Sequence, residues 1–265
     1  MRILLFFSLL TFMFSCGPAS EPVAETSPEN ANPAAEGFNA AGSDAKAIAV
    51  VDAVMEAMGG RRNWDVTRYV HWNFFGRRSL LWDKHTGRVR IEIPGDETIF
   101  LTNVQTDEGQ VRIGETVHTE PDSLRKYLDQ AKSIWINDSY WLVMPFKLKD
   151  SGVTLKYMGQ DSTLAGEIAH VLELTFENVG RTPNNKYHIY VDPSTNLVNQ
   201  WDFYSNVSDA EPRFAMPWQN YKEHGSILLS GSRGDKRELT DIAVYTQVPD
   251  SAFESFDPVD PSSLE

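Results

Sequence analysis

Residues 137–152 read NDSYWLVMPFKLKDSG, from Asn137 to Gly152, and the fold turns on how this run is understood. Tyr140, Trp141, Leu142, Val143, Met144, Pro145 and Phe146 stand together directly after an amphipathic helical pattern. They follow neither a period of two nor one of 3.6, so periodicity does not type them. Pro145 opposes a long helix through the run, because proline lacks the backbone donor and disfavours helix in the residue before it. One reading is a buried helix-to-strand connection. The other is an apolar lid on a β-sheet. Turn-forming Asn137-Asp138 and Asp150-Ser151-Gly152 bracket the run, and on the second reading residues 137–148 form a movable cover over an apolar groove.

The preceding segment predicts a helix over 121–136. Pro121 suits a first helical turn. Leu124, Tyr127, Leu128, Ala131, Ile134 and Trp135 make one stripe, with Arg125, Lys126, Asp129, Gln130 and Lys132 opposite. A second helix is expected over 44–58. Ser43 would be its N-cap, Ile48, Val51, Met55 and Met58 its apolar face, and Gly59-Gly60 its end. Between the helices the period is two. Val70, Trp72 and Phe74 alternate with Tyr69, His71 and Asn73; Val89, Ile91 and Ile93 alternate with Arg88, Arg90 and Glu92, one dry face and one wet. Tight polar turns separate these strands. The pattern resumes at Val153 and runs to Thr246, apart from a loop at 178–184. The expectation is a mainly β protein: about eleven strands in one curved antiparallel sheet, with the helices on its concave side. No internal repeat is present.

The N-terminus adds an address. Met1-Arg2, the apolar run Ile3 to Phe14 and Ser15-Cys16-Gly17 read as a secretory signal over 1–15. The run is too short to span a bilayer as a helix. Cys16 is the single cysteine of the chain and sits at the cleavage point. The segment resembles a bacterial lipoprotein lipobox, with Met13 where that family usually has Leu. The resemblance implies that Cys16 is acylated with palmitate-type chains. Gly17 in place of aspartate resembles the outer-membrane form of the sorting rule. The plainer alternative is an ordinary signal peptide with a chance cysteine. Residues 16–42, rich in Pro, Ala, Glu and Ser, read as a disordered tether, and 43–265 as one folded domain. The net charge of −13 excludes binding through nucleic-acid phosphates, and no basic cluster offsets it. Membrane attachment must then come from the lipid.

This arrangement resembles the lipoprotein-carrier superfamily, the LolA/LolB/RseB-like proteins, and within it uncharacterised lipoproteins of Bacteroidota-type bacteria. The residues that carry it are Trp82-Asp83 with Thr86-Gly87-Arg88, and Tyr140 to Leu148 through Gly152-Val153. The resemblance implies an incomplete barrel whose concave apolar face binds acyl chains or lipopeptides beneath helices. It implies a lipid-anchored cell-envelope protein, at the outer membrane.

Motifs for catalysis are thin. Glu167 and His170 stand at a metal-like spacing, but a period of two turns residues three apart to opposite faces. His71, His85, His118, His188 and His224 are scattered singly. Ser230-Gly231-Ser232-Arg233-Gly234 lacks the first glycine of a G-x-S-x-G elbow, and Arg233-Gly234-Asp235 is a chance adhesion tripeptide. No catalytic residue, metal or cofactor is expected. An apolar ligand site is expected instead, from Trp72, Phe74, Trp82, Tyr140, Trp141, Met144, Phe146 and Trp201. Three functions compete: a binder of an acyl chain, lipid or lipopeptide; a structural lipoprotein whose cavity is filled by its own lid; and a hydrolase with unrecognised carboxylates. Protein partners are unspecified by the sequence. Cys16→Ser should move the chain from the membrane pellet to the soluble fraction on ultracentrifugation; an unchanged distribution would count against acylation.

Overall fold

Fourteen strands and four α-helices make up the described residues of the computed structural model, which are 31–177, 180–234 and 237–265. The signal segment, Cys16, the tether as far as residue 30 and Asp235 of the tripeptide lie outside them. The protein is mainly β and antiparallel, and it forms no closed barrel. The single eleven-stranded sheet expected above is instead divided into sheets of seven, five and two strands.

The larger sheet holds β1 (Tyr69–Phe74), β2 (Arg78–Asp83), β3 (Arg88–Ile93), β4 (Thr98–Asn103), β5 (Glu108–Ile113) and β6 (Thr116–Val117) in order, with β14 (Leu239–Tyr245) added outside β1. The smaller sheet runs β11-β10-β9-β8-β7, from β7 (Val153–Ser162), β8 (Ile168–Phe176), β9 (Lys186–Val191), β10 (Val198–Tyr204) and β11 (Phe214–Pro217). A hairpin of β12 (Gln219–His224) and β13 (Ile227–Ser232) stands between them. The Trp218 N–H still donates to the Asn199 carbonyl (2.8 Å), and from Gln219 onward the chain leaves β10 and pairs with β13 instead. Past β13 only the bridge Ser232↔Glu238 connects to the strand leading into β14.

Both apolar sheet faces look inward, onto α1 (Ala45–Ala57) and α3 (Pro121–Val143). Helix α1 buries Ala47, Val50, Val51, Val54 and Met55. Its N-cap is Asp44, not Ser43. Ser43 instead accepts from the Leu155 N–H at 3.0 Å and so ties the helix start to β7. Gly59 (φ 108°) ends α1 where a Cβ would stand 2.3 Å from the Ser226 carbonyl oxygen. The short α2 (Arg61–Val66) follows and buries Trp64.

Helix α3 corrects the reading of the opening stretch. It runs two turns beyond residue 136, to Val143, and a 3-10 turn carries Met144–Lys147 onward. Pro145 fits because it stands in the first positions of that turn, where its missing donor is no loss. Asn137-Asp138 is therefore no hinge; Asp138 lies within the helix, fully buried. Leu142, Val143, Met144, Phe146 and Leu148 are each at most 2% exposed, so the expected cover is part of the core.

The wet face of β3 is not wet. Residues 248–265, including α4 (Ser251–Glu254), cross the back of the larger sheet and bury Tyr69, Leu81 and Phe253. Arg90 holds them there, donating to the carbonyls of Ala252 (3.2 Å), Ser255 (2.7 Å) and Asp257 (2.9 Å). Asp83 lies under the same layer, paired with Arg68 (3.0 Å) and Arg88 (3.1 Å). Burial pushes its carboxyl up, but hydrogen bonds from Arg68, Thr86 and Arg88 outweigh that and hold it below the usual carboxylate range. Polar alternation thus marks hydrogen-bonding capacity, which the tail satisfies in place of water. A cavity of about 30 Å³ remains beneath the tail, lined by His71, Ser79, Arg90, Glu92 and Leu264 among others.

The tether boundary also differs. Asn32 donates to Asp52 at 2.7 Å, the Ala35 N–H to the Lys149 carbonyl at 2.9 Å, and the Asn39 N–H to the Val153 carbonyl at 3.0 Å. Residues 32–39 have few apolar side chains, and these polar contacts with Phe38 dock them. Leu128, 7% exposed, packs against β5 beside Gly109. Leu128→Ala should cost about 2–5 kcal/mol in urea denaturation, and a loss below about 1 kcal/mol would place the α3 stripe in solvent.

Candidate functional site

The last two turns of α3 meet the smaller sheet along a band of aromatic rings. Trp141 packs edge-on against Trp201 (centroids 4.8 Å) and Phe75 (5.4 Å), and lies 5.8 Å from Phe214. Tyr187 stacks on Trp201 (5.3 Å, 13°) and neighbours Phe203, Phe176 and Tyr140. Phe203 and Phe214 are 5.0 Å apart. Period two explains the sheet's part. Tyr187 pairs with Phe203 and Phe203 with Phe214, so all three project from the same face. Phe75, Tyr140, Trp141, Phe176, Tyr187, Phe203 and Phe214 are only half-buried. The band is an apolar surface at the mouth between the two sheets, with Trp201 as its floor.

Phe75 reaches the band from an unusual place. It occupies the β1–β2 turn with φ 54°, followed by Gly76 at φ 68°. Two central residues at positive φ fit a type I′ turn, where Asn-Gly is the favoured pair. A bulky residue held left-handed is strained, and such strain is found where the side chain has a task. The turn is closed by the Arg77 N–H to the Phe74 carbonyl (3.0 Å) and by the Gly76 N–H to Asn73 Oδ1 (2.8 Å).

Two charged groups border the band. Arg78 makes a forked pair with the buried Asp138 carboxylate, 2.7 and 2.9 Å, and its guanidinium lies 4.8 Å from the Phe74 ring. Burial pushes the Asp138 carboxyl above its ordinary value, against the pull of Arg78 and Asn137. Arg233, 3% exposed, lies 3.3 Å from the Trp218 ring centroid and donates to the Trp141 carbonyl. Burial raises the Tyr187 phenol to about 12, so that phenol stays neutral near pH 7.

Of the eight residues expected in the site, Phe74, Tyr140, Trp141 and Trp201 come together here. Trp82 belongs to a second cluster with Trp135 (5.3 Å) and Trp64 (6.5 Å), and Trp64 stacks on Phe146 at 4.4 Å. Trp72 and Met144 are fully enclosed in the core. Sequence reasoning did not assign Phe75, Phe176, Tyr187, Phe203 or Phe214 to the site. The strand alternation around Tyr187 and Phe203 was the one signal for their facing; nothing local marked Phe75. At the nucleophile position of the elbow-like motif stands Ser232, half-buried and donating to the Glu238 carboxylate at 2.8 Å, while Ser230, in place of the first glycine, is fully buried and donates to the Gln219 carbonyl. His170 bonds to the Tyr157 hydroxyl at 2.9 Å rather than meeting Glu167. Among the described residues no three His, Cys, Asp or Glu side chains gather around one metal position, and no helix is long and apolar enough to cross a membrane.

No protein-family model matches the sequence, and no curated protein matches it. Solved structures similar to it include the following two. The crystal structure of a DUF1329 family protein from Desulfovibrio piger shares 14% identity over 83% of this chain and 99% of that one, with a TM-score of 0.43. The crystal structure of MucB shares 14% identity over 74% of this chain and 66% of that one, with a TM-score of 0.25.

Removing one partner of the Arg78–Asp138 pair leaves a buried charge alone, whereas replacing both does not. Arg78→Met, which strands the buried Asp138 carboxylate, should therefore cost about 3–5 kcal/mol by urea unfolding, and the double variant Arg78→Met/Asp138→Leu clearly less. Equal losses would mean that the pair is solvated.

Proposed function

We propose that this chain is a lipid-anchored envelope protein that holds an apolar or amphipathic ligand, such as an acyl chain, lipid or lipopeptide, against the aromatic band. The carrying observation is the continuity of seven half-buried rings at the mouth between the sheets. Partly exposed rings gathered in one place supply the apolar lining that a binding site for such a ligand needs. The strained Phe75 supports the same reading, since a ring is kept where the turn favours asparagine. The anchor is Cys16 and the address the cell envelope, at the outer membrane, on the strength of the signal segment. The role is binding rather than catalysis.

The ligand lies along the band and reaches deeper only by moving the end of α3, because the core beneath is filled by Met144, Phe146 and Leu148. That filling is also the observation that favours the structural reading, in which the protein is its own occupant. Displacing these side chains costs part of what a chain gains, at about 0.8 kcal/mol per buried methylene. Affinity near micromolar, about −8 kcal/mol, is the expected range.

Native mass spectrometry of the purified chain should reveal co-purified lipid. Titration of the delipidated protein with fatty acids, lysophospholipids and a lipopeptide should change tryptophan fluorescence. Phe75→Asn restores the preferred turn pair while removing one ring of the band. It should keep or raise the melting temperature and weaken binding by roughly five- to tenfold, the equivalent of about 1 kcal/mol of lost apolar contact. A chain that carries no lipid and binds none of these ligands would leave the self-filled reading standing.

A further inference from the structure

Arg233 is the buried charge that the aromatic band does not itself require. Its Nη1 donates to Ser230 Oγ (2.9 Å) and the Ser232 carbonyl (2.7 Å); its Nη2 donates to the Ser230 carbonyl (3.2 Å) and to that of Trp141. Every one of these acceptors is neutral, and Arg233 makes no ion pair among the described residues. Among the described residues its Nε has no acceptor. The indole N–H groups of Trp201 and Trp218 are likewise buried without a partner. Trp218 lies against both Arg233 (3.3 Å) and Trp201 (5.4 Å), so three unpaired donors sit on a connected trio of side chains. The indole N–H groups of Trp72, Trp82 and Trp135 are also buried without a partner, but here two such indoles adjoin a buried guanidinium that is itself short of an acceptor. Burial pulls the guanidinium down to about 9, which still leaves it a cation at neutral pH.

The contact with Trp141 has a sequence reason. Within a helix the Trp141 carbonyl would accept from residue 145, which is proline and has no N–H. Arg233 supplies that missing donor at the C-terminal end of α3, where a helix favours positive charge. The same helix end must shift if a chain is to enter beneath Trp141, and the shift takes the carbonyl away from Arg233.

We infer that Arg233, with the indole N–H groups of Trp201 and Trp218, receives an anionic headgroup, so that the ligand of the aromatic band is an amphiphile bearing a phosphate or carboxylate. This rests on the band being a ligand site. The anionic oxygens replace the Trp141 carbonyl on the guanidinium, and a charge-assisted, forked bond is stronger than the neutral one it displaces. The chain's net charge of −13 repels anions at long range, so selectivity comes from this buried group and not from the general field.

The test uses the full chain carrying Cys16→Ser, so that no acyl group of its own competes. It is titrated with dodecyl phosphate, dodecanoate and the neutral, chain-matched dodecanol, and with inorganic phosphate alone, following tryptophan fluorescence. One or both anionic amphiphiles should bind about tenfold tighter than dodecanol, and the pair separates phosphate from carboxylate selectivity. Arg233→Gln should bring them to the dodecanol level while the circular dichroism spectrum is unchanged. Equal binding of charged and neutral chains by the parent protein overturns the inference, whether or not the variant folds. Inorganic phosphate binding as tightly as dodecyl phosphate overturns it too, because the chain would then be irrelevant. If no amphiphile binds, the ligand reading of the band fails first and this inference with it.

Discussion

The burial of the end of α3 and of the 3-10 turn that follows it, between two sheets, is the constraint on which the rest of the structure depends. Leu142, Val143, Met144, Phe146 and Leu148 lose nearly all contact with water there. At about 1.5–3 kcal/mol for each large apolar side chain, this one segment contributes on the order of 10 kcal/mol before chain entropy is counted. Neither sheet could face water without it. The larger sheet offers Trp72, Leu80, Val89, Ile91 and Phe100, and the smaller one Leu155, Leu172, Leu174, Ile189 and Trp201. A single helix end that serves both faces is what keeps the two sheets apart and leaves a mouth lined by aromatic rings.

Such a dry interior sets strict terms for charge. Asp138 is acceptable there because Arg78 meets it in a fork, and Arg233 because it satisfies the carbonyl that Pro145 leaves bare. Both groups touch α3, one on each side of Trp141. The helix is thus fixed by apolar burial and oriented by polar bonds that work in one register. On the far face of the larger sheet the logic is repeated: Arg90 and Asp83 are covered by the tail only because carbonyls and guanidiniums are placed to pair with them. Stability and the aromatic mouth therefore draw on the same helix, so changes that loosen α3 are expected to affect both.

Individual elements show how far the sequence could be read. The α1 stripe and the period-two strands were legible because a helix or strand face is set by residues a few positions apart. The α3 extension was misread at Asn137-Asp138 and Pro145. Turn-prone residues can be helical when an arginine pairs with the buried aspartate, and proline is harmless once a 3-10 turn begins. Arg88, Arg90 and Glu92 looked like a solvent face for the same reason: alternation reports polarity, and the tail that covers them lies about 160 residues away in sequence.

By itself the sequence determined the β class, the amphipathic stripes that must face a core, and the expectation that Cys16 carries an anchor. These are local properties, written in spacing and in residue chemistry. The tertiary structure decided the rest. It divided one sheet into three, filled the groove with the stretch expected to cover it, and chose which tryptophans line the mouth. It joined Phe75, Trp141, Tyr187 and Phe214 from four distant segments, and set Arg233 under the one carbonyl that lacked a donor. The physical reason is that aromatic contact and polar satisfaction depend on which faces meet in space, and no spacing along a chain encodes a meeting of residues so far apart.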